Sequence, residues 1–154
     1  MFWRFTVALF FLLFSIPANS ESPLLLDARQ TSGFTRMEDA FENTCKLDSS
    51  GHLHGLLKQG RTDSGGWRTQ KKIEFTLNST ETKEILSLLK ASQSGPFREE
   101  PAICDTGDLL IRASSGKGSF PVIEIHDCEK GITNTSPAAK QVEEWVRHHC
   151  FWAS

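Results

Sequence analysis

Three neighbouring residues, His126, Asp127 and Cys128, combine an imidazole, a carboxylate and a sulfur, the groups of a cysteine-based catalytic site. A cysteine nucleophile needs a free thiol of lowered pKa and a histidine base close to it in the fold. The chain contains four cysteines, namely Cys45, Cys104, Cys128 and Cys150. Because an even number of cysteines in an exported chain indicates two disulfides, we predict that Cys128 is oxidised and that the chain has no catalytic residue.

A second set of side chains has the types that bind metal ions. His52 and His54 alternate along a predicted strand, so both imidazoles point to one face, and such an H-x-H pair is a known metal-ligand arrangement. A metal site needs at least a third ligand, which His126 or His148 would have to supply from elsewhere in the fold. We therefore expect neither a metal nor another cofactor, and retain His52, His54 and His126 only as weak candidates.

Carboxylates near the second predicted hairpin have the chemistry of a general acid/base pair. They are Asp105, Asp108, Glu124 and Asp127. Acidic residues beside strands more often keep the edges of a sheet soluble. The alternative function is therefore a secreted metal-dependent or acid/base hydrolase, and convergence of these carboxylates or of the histidines in one pocket would support it.

The N terminus has the pattern of a secretory signal. Arg4 provides a basic start, Phe5 to Phe14 are mostly apolar, and residues 18–20 (Ala-Asn-Ser) match a cleavage site. The apolar run of about ten residues is shorter than the ~20 needed to span a bilayer, so we expect no membrane anchor. Residues 1–20 are predicted to be a signal peptide, and the protein is predicted to be secreted or periplasmic.

The charge pattern argues against a nucleic-acid partner. The chain has 17 Lys and Arg and 19 Asp and Glu, which give a net charge of −2, and the two signs are interspersed. It has neither a basic block nor a basic stripe interleaved with aromatic residues. We expect another protein as the partner, while the sequence makes no prediction about the oligomeric state.

Hydrophobic periodicity predicts an α+β fold. Residues 40–58 alternate in polarity around the turn sequence DSSG and indicate a hairpin, and WRTQKKIEFTL indicates a further strand. LNSTETKEILSLLKAS changes to helical spacing. DLLIRA and SFPVIEIH flank a turn at residues 116–118 as a second hairpin, and Ser136 caps a final helix that has Pro137 at its first position.

The predicted architecture is an antiparallel sheet of about five strands, two hairpins plus one strand, with two helices on one face. The element order is β-β-β-α-β-β-α. Residues 21–39 are predicted to be a partly ordered N-terminal arm, and residues 40–154 a single disulfide-braced domain.

Hairpin register suggests how the cysteines pair. With Ala113 opposite Phe120, Cys104 and Cys128 fall at the open end of the same ladder, within disulfide reach. That leaves Cys45 for Cys150, a bridge that closes a loop of about a hundred residues. Pairing of Cys45 with Cys128 is the main alternative, and it stays open at this point.

Three aromatic residues are candidates for a binding surface. Trp67 follows the glycine-rich loop 60–66, and Phe151 and Trp152 follow the last cysteine, where they either pack back on the domain or mark a partner surface. Asn78 and Asn134 each begin a glycosylation sequon, which matters in a eukaryotic host.

The order of elements from Gly33 to Cys150 also carries a resemblance to a known family. SGFTR lies early in the domain, LNSTETKEILSLLKAS is followed by Phe97 and a hairpin, and SPAAKQVEEWVRHHC closes the domain with Trp145. In this order the chain resembles the emfourin-type inhibitors of bacterial thermolysin-like metalloproteases and related small secreted bacterial proteins. The four cysteines depart from that family's pattern. The resemblance implies a small non-enzymatic binding protein, with protease inhibition as one form of its function.

Overall fold

The computed structural model describes residues 24–115 and 118–151, which form one eight-stranded antiparallel sheet and two α-helices. The predicted signal peptide and Trp152 lie outside the described residues. The strands are β1 (Leu24–Thr31), β2 (Phe41–Asp48), β3 (His52–Arg61), β4 (Trp67–Thr76), β5 (Phe97–Glu100), β6 (Leu109–Ser115), β7 (Gly118–Ile125) and β8 (Gly131–Asn134). The helices are α1 (Ser79–Ser92) and α2 (Pro137–Cys150), and a 3-10 turn spans Met37–Asp39.

The strand order across the sheet is β4-β3-β2-β1-β6-β7-β8-β5, with every neighbouring pair antiparallel. The α+β class is confirmed, but the predicted number of about five strands is wrong, because β1, β5 and β8 were missed. β1 lies inside the segment predicted to be a partly ordered arm, and it joins the two hairpins at the middle of the sheet. Its alternation is real, with Leu26 and Ala28 buried, but the preceding Leu24 and Leu25 hide it in the sequence. β5 and β8 have only four residues each, too few to display a period.

The elements that were predicted fold for the expected reasons. The β2–β3 turn is closed by the Asp48 carboxylate, which accepts hydrogen bonds from the backbone N–H groups of Ser50 and His52 at 2.9 and 3.0 Å. In the second hairpin Ala113 lies opposite Phe120, as predicted. Residues 116 and 117 of its predicted turn lie outside the described residues.

Both helices begin at side-chain caps. The Asn78 side chain accepts hydrogen bonds from the N–H groups of Thr80 and Glu81, and Glu81 in turn accepts one from the Asn78 N–H. Ser136 accepts one from the Ala139 N–H at 3.1 Å. Asn134 is 2 % exposed and its amide donates to the Ser92 carbonyl, so this sequon lies inside the fold.

The hydrophobic core lies on one face of the sheet, where both helices pack. Leu47 on β2, Leu53 on β3, and Val142 and Val146 on α2 are fully buried. The opposite face carries charged side chains in ion pairs, such as Lys58 with Glu42. The sheet therefore separates a core side from a solvent side.

Two disulfides link the four cysteines, and the predicted pairings are confirmed. Cys45 on β2 is bonded to Cys150 at the end of α2, and Cys104 is bonded to Cys128 just beyond the β6–β7 hairpin. The alternative pairing of Cys45 with Cys128 is excluded. Two disulfides fit an oxidising environment, extracellular or periplasmic. Neither helix in the described part of the chain is long and apolar enough to cross a membrane.

Candidate functional site

The histidines proposed as metal ligands lie on different parts of the sheet. His52 and His54 share the solvent face of β3, with ring centroids 6.0 Å apart. His126 follows β7, and three strands separate β7 from β3, which corresponds to about 19 Å at about 4.8 Å per strand spacing. Across residues 24–115 and 118–151, no three His, Cys, Asp or Glu side chains are grouped so that they could hold a metal ion.

Three of the four predicted carboxylates accept hydrogen bonds at the second hairpin. Asp108 accepts a hydrogen bond from the Asp127 N–H at 3.0 Å, and Asp127 accepts one from the Thr106 N–H at 3.2 Å. Glu124 accepts one from the Arg112 guanidinium at 2.6 Å, which is the main reason why the pKa of Glu124 lies below its ordinary value. A carboxylate with a lowered pKa stays ionised and is a poor general acid.

Neither Cys128 nor Phe151 offers a reactive or binding group to solvent. Cys128 is half of a disulfide and has no free thiol. Phe151 is only 6 % exposed and belongs to the core, because the Cys45–Cys150 bond holds the chain end against the sheet. Trp152 lies outside the described residues.

Trp67 lies in a surface cleft of about 340 Å³ at one end of the sheet. The ends of β1 and β3 and the starts of β2 and β4 form its floor, and the loop 32–40 forms one wall. The indole is half-buried between two cations, with Lys58 Nζ 5.8 Å and the Arg61 guanidinium carbon 5.4 Å from the ring centroid. Cation–π attraction at these distances holds the indole in place.

The wall of the cleft presents apolar side chains to solvent. Phe34 is 90 % exposed and Met37 is 44 % exposed, and both line the cleft with Trp67. We call this cluster the Phe34 cleft; the sequence indicated only Trp67, whereas Phe34 and Met37 were missed. The sequence SGFTR contains Phe34, but no local pattern indicates that a Phe is exposed.

The loop 32–40, which we call the Phe34 loop, is closed at its base by hydrogen bonds. The Ser32 N–H donates to the Phe41 carbonyl at 3.0 Å, and the Phe41 N–H donates to the Ser32 hydroxyl at 3.1 Å. One residue further, the Gly60 N–H of β3 donates to the Ala40 carbonyl at 2.8 Å. Both ends of the loop are therefore continuous with the sheet.

The exposed Cys104–Cys128 disulfide supports the base of the same loop. Gly33 packs so tightly against the backbone of Asp105 that a Cβ on Gly33 would overlap it, and Asp105 follows directly after Cys104. The Thr31 N–H donates to the Asp108 carbonyl at 2.9 Å, and the Asp108 N–H donates to the Thr31 hydroxyl at 3.0 Å. The segment 104–108, held by the Cys104–Cys128 bond, thus braces the base of the Phe34 loop.

The charge of the Phe34 cleft is predominantly basic. Arg29 and Arg61 line it, and within the described residues neither forms an ion pair. Its one acidic lining residue, Glu42, is paired with Lys58 at 3.4 Å. The cleft therefore suits an apolar group accompanied by a carboxylate.

Comparison with protein-family models, with curated proteins and with solved structures found no match to this chain.

Proposed function

We propose that this is a small secreted binding protein without catalytic activity, and that it holds a protein partner at the Phe34 cleft. The observation that carries the proposal is the 90 % exposure of Phe34 on a loop fixed at both ends. Burial of such a side chain contributes about 1.5–3 kcal/mol of favourable free energy. In the free monomer Phe34 stays in water, so this free energy contributes to the binding of a partner that covers Phe34.

The shape of the site favours a protein over a small molecule as the partner. Phe34 projects outward and needs a pocket on the partner, while the cleft beside it can receive a side chain of the partner. Aromatic and arginine side chains such as Trp67 and Arg61 are the residue types that dominate binding energy at protein interfaces. A loop already fixed in place loses little conformational entropy on binding.

The alternative hydrolase has less support. His126 lies three strands away from His52 and His54, and Asp108 and Asp127 are engaged in hydrogen bonds that fix loops. Protease inhibition is the specific form of binding that the family resemblance implies, and a fixed loop with an exposed Phe is compatible with it. A thermolysin-like metalloprotease is therefore one of the partners to be tested.

The test compares four immobilised proteins: wild type, Phe34→Ala, Trp67→Ala and the control Phe97→Ala. Phe97 is 48 % exposed on β5, at the sheet edge far from the cleft, so its removal changes exposed aromatic area without touching the site. Each protein is presented to extracellular proteins of its source, and the bound proteins are quantified by mass spectrometry. A purified thermolysin-like metalloprotease is assayed in parallel for inhibition.

We expect one partner to bind wild type and Phe97→Ala equally and to bind Phe34→Ala at least tenfold less tightly, in proportion to about 1.4 kcal/mol or more of lost burial. A partner that binds Phe34→Ala and Trp67→Ala as tightly as wild type would place the binding surface elsewhere and refute the proposal.

A further inference from the structure

One edge of the sheet is long and uncovered in the described part of the chain. β4 is a ten-residue edge strand, and among residues 24–115 and 118–151 its only strand neighbour is β3. Apart from Trp67 and Ile73, which are half-buried, its residues are exposed. The opposite edge is β5, with four residues, and a strand so short offers little to pair with.

The hydrogen-bond pattern identifies which backbone groups of β4 face outward. The Leu77 N–H donates to the Gly51 carbonyl directly opposite, so this is a hydrogen-bonded pair, and such pairs alternate along an antiparallel ladder. Between residues 69 and 77 the odd-numbered residues of β4 therefore bond to β3. The N–H and C=O groups of this stretch that point away from β3 belong to Gln70, Lys72, Glu74 and Thr76.

The side chains on this edge are self-complementary in one register. If a second copy pairs antiparallel about a two-fold axis at Ile73, Lys72 of each copy lies opposite Glu74 of the other. Both are outward-facing residues, so they also form a hydrogen-bonded backbone pair, and this happens twice by symmetry. Ile73 then meets Ile73 at a non-hydrogen-bonded position, where side chains are closest.

Neighbouring registers are disfavoured by like charges. A two-fold axis at Lys71, Lys72 or Glu74 would place that residue directly opposite itself. Glu74 is free to reach a second copy, because its side chain is 68 % exposed although His52 Nε2 lies 3.5 Å from one of its oxygens.

We propose that two copies of the chain associate through β4, antiparallel about Ile73, so that the sheet continues across the dimer. The paired stretch is 70–76, which leaves Trp67 and the Phe34 cleft outside the interface, so each dimer presents two clefts. The interface is a single strand pair and falls at the small end of specific interfaces, below about 1,200 Å², so the dimer is weak and concentration-dependent. This inference does not rest on the proposed function.

The test measures self-association of the oxidised full chain by sedimentation velocity from micromolar to millimolar concentration. Lys72→Glu and Glu74→Lys each place two like-charge pairs across the axis, while the double variant Lys72→Glu/Glu74→Lys restores two unlike pairs. The matched control is Arg68→Glu, an exposed charge reversal on the same strand outside the paired stretch. Arg68→Glu changes the net charge by the same amount as Lys72→Glu, so an effect of net charge alone would weaken the dimer equally in both variants.

We expect a wild-type dimer, dissociation constants at least about tenfold weaker for the two single variants, and recovery to within about threefold in the double variant. Arg68→Glu should stay close to wild type. A wild-type protein that remains monomeric at millimolar concentration overturns the proposal. A dimer that the single variants leave intact, that the double variant fails to restore, or that Arg68→Glu weakens as much as Lys72→Glu also overturns it.

Discussion

Removal of either disulfide should destabilise the fold, but only one of them should release the Phe34 loop. The two cross-links close loops of different length, with sequence separations of 105 for Cys45–Cys150 and 24 for Cys104–Cys128. In the chain-entropy account these correspond to about 4.8 and about 3.5 kcal/mol of unfolding free energy. Double substitution to alanine in each pair should lower the unfolding free energy by these amounts in urea titrations.

The local effect follows from the contacts of the loop. Gly33 packs on Asp105, next to Cys104, whereas Cys45 and Cys150 are fully buried in the core between the sheet and the helices. Loss of Cys104–Cys128 should therefore weaken the hydrogen bonds at the loop base. We expect exchange protection of the Ser32 and Phe41 amides to fall about tenfold, the change for about 1.4 kcal/mol of lost local stability.

Native-state hydrogen exchange measures this directly. Cys45→Ala/Cys150→Ala is the matched control, because amides that exchange by local opening are insensitive to a loss of global stability. If the Ser32 and Phe41 amides keep their protection without Cys104–Cys128, or lose it equally without Cys45–Cys150, the assigned bracing role is incorrect. A partner of the Phe34 cleft should likewise bind Cys104→Ala/Cys128→Ala more weakly than the control.

Three further predictions concern the core, a cap and an ion pair. Leu47→Ala should lower the unfolding free energy by about 2–5 kcal/mol in denaturant titrations, because the side chain is fully buried and leaves a cavity. Asn78→Ala should lower it by about 1 kcal/mol, because two N–H groups of α1 lose their acceptor. The lowered pKa of Glu124 contributes stability that is present above its unfolded-state pKa and is lost as pH falls through its folded-state pKa. Denaturant midpoints of wild type should therefore fall on acidification below about pH 4.5, and those of Glu124→Gln should fall less.

The parts of the fold that were predictable are those with a local cause. A cap such as Ser136 acts on the next few residues, and the β6–β7 register follows from the strands on either side of one turn. Because the register next to the turn was correct, the Cys104–Cys128 pairing could be inferred from it despite a one-residue shift between Ile111 and Arg112, and Cys45–Cys150 followed by elimination.

The parts that were not predictable depend on distant contacts. β1 is a strand because β2 and β6 flank it, and Leu109 to Ala113 are about eighty residues away in the sequence. The exposure of Phe34 depends on Gly33 meeting Asp105, a contact of similar separation. The burial of Phe151 also depends on a distant contact, since the bond between Cys150 and Cys45 draws it into the core.

The division of the sheet into two faces keeps the proposed binding site separate from the core. Phe34, Met37, Arg61 and Trp67 line the cleft and take no part in the buried cluster between the sheet and the helices. A substitution among them changes surface that the folded monomer does not use for its stability, and surface changes away from caps and buried contacts are usually within about 0.5 kcal/mol. The core and the buried disulfide can therefore stay constant while the chemistry of the cleft changes, which is the arrangement expected of a scaffold whose function lies in one grafted surface.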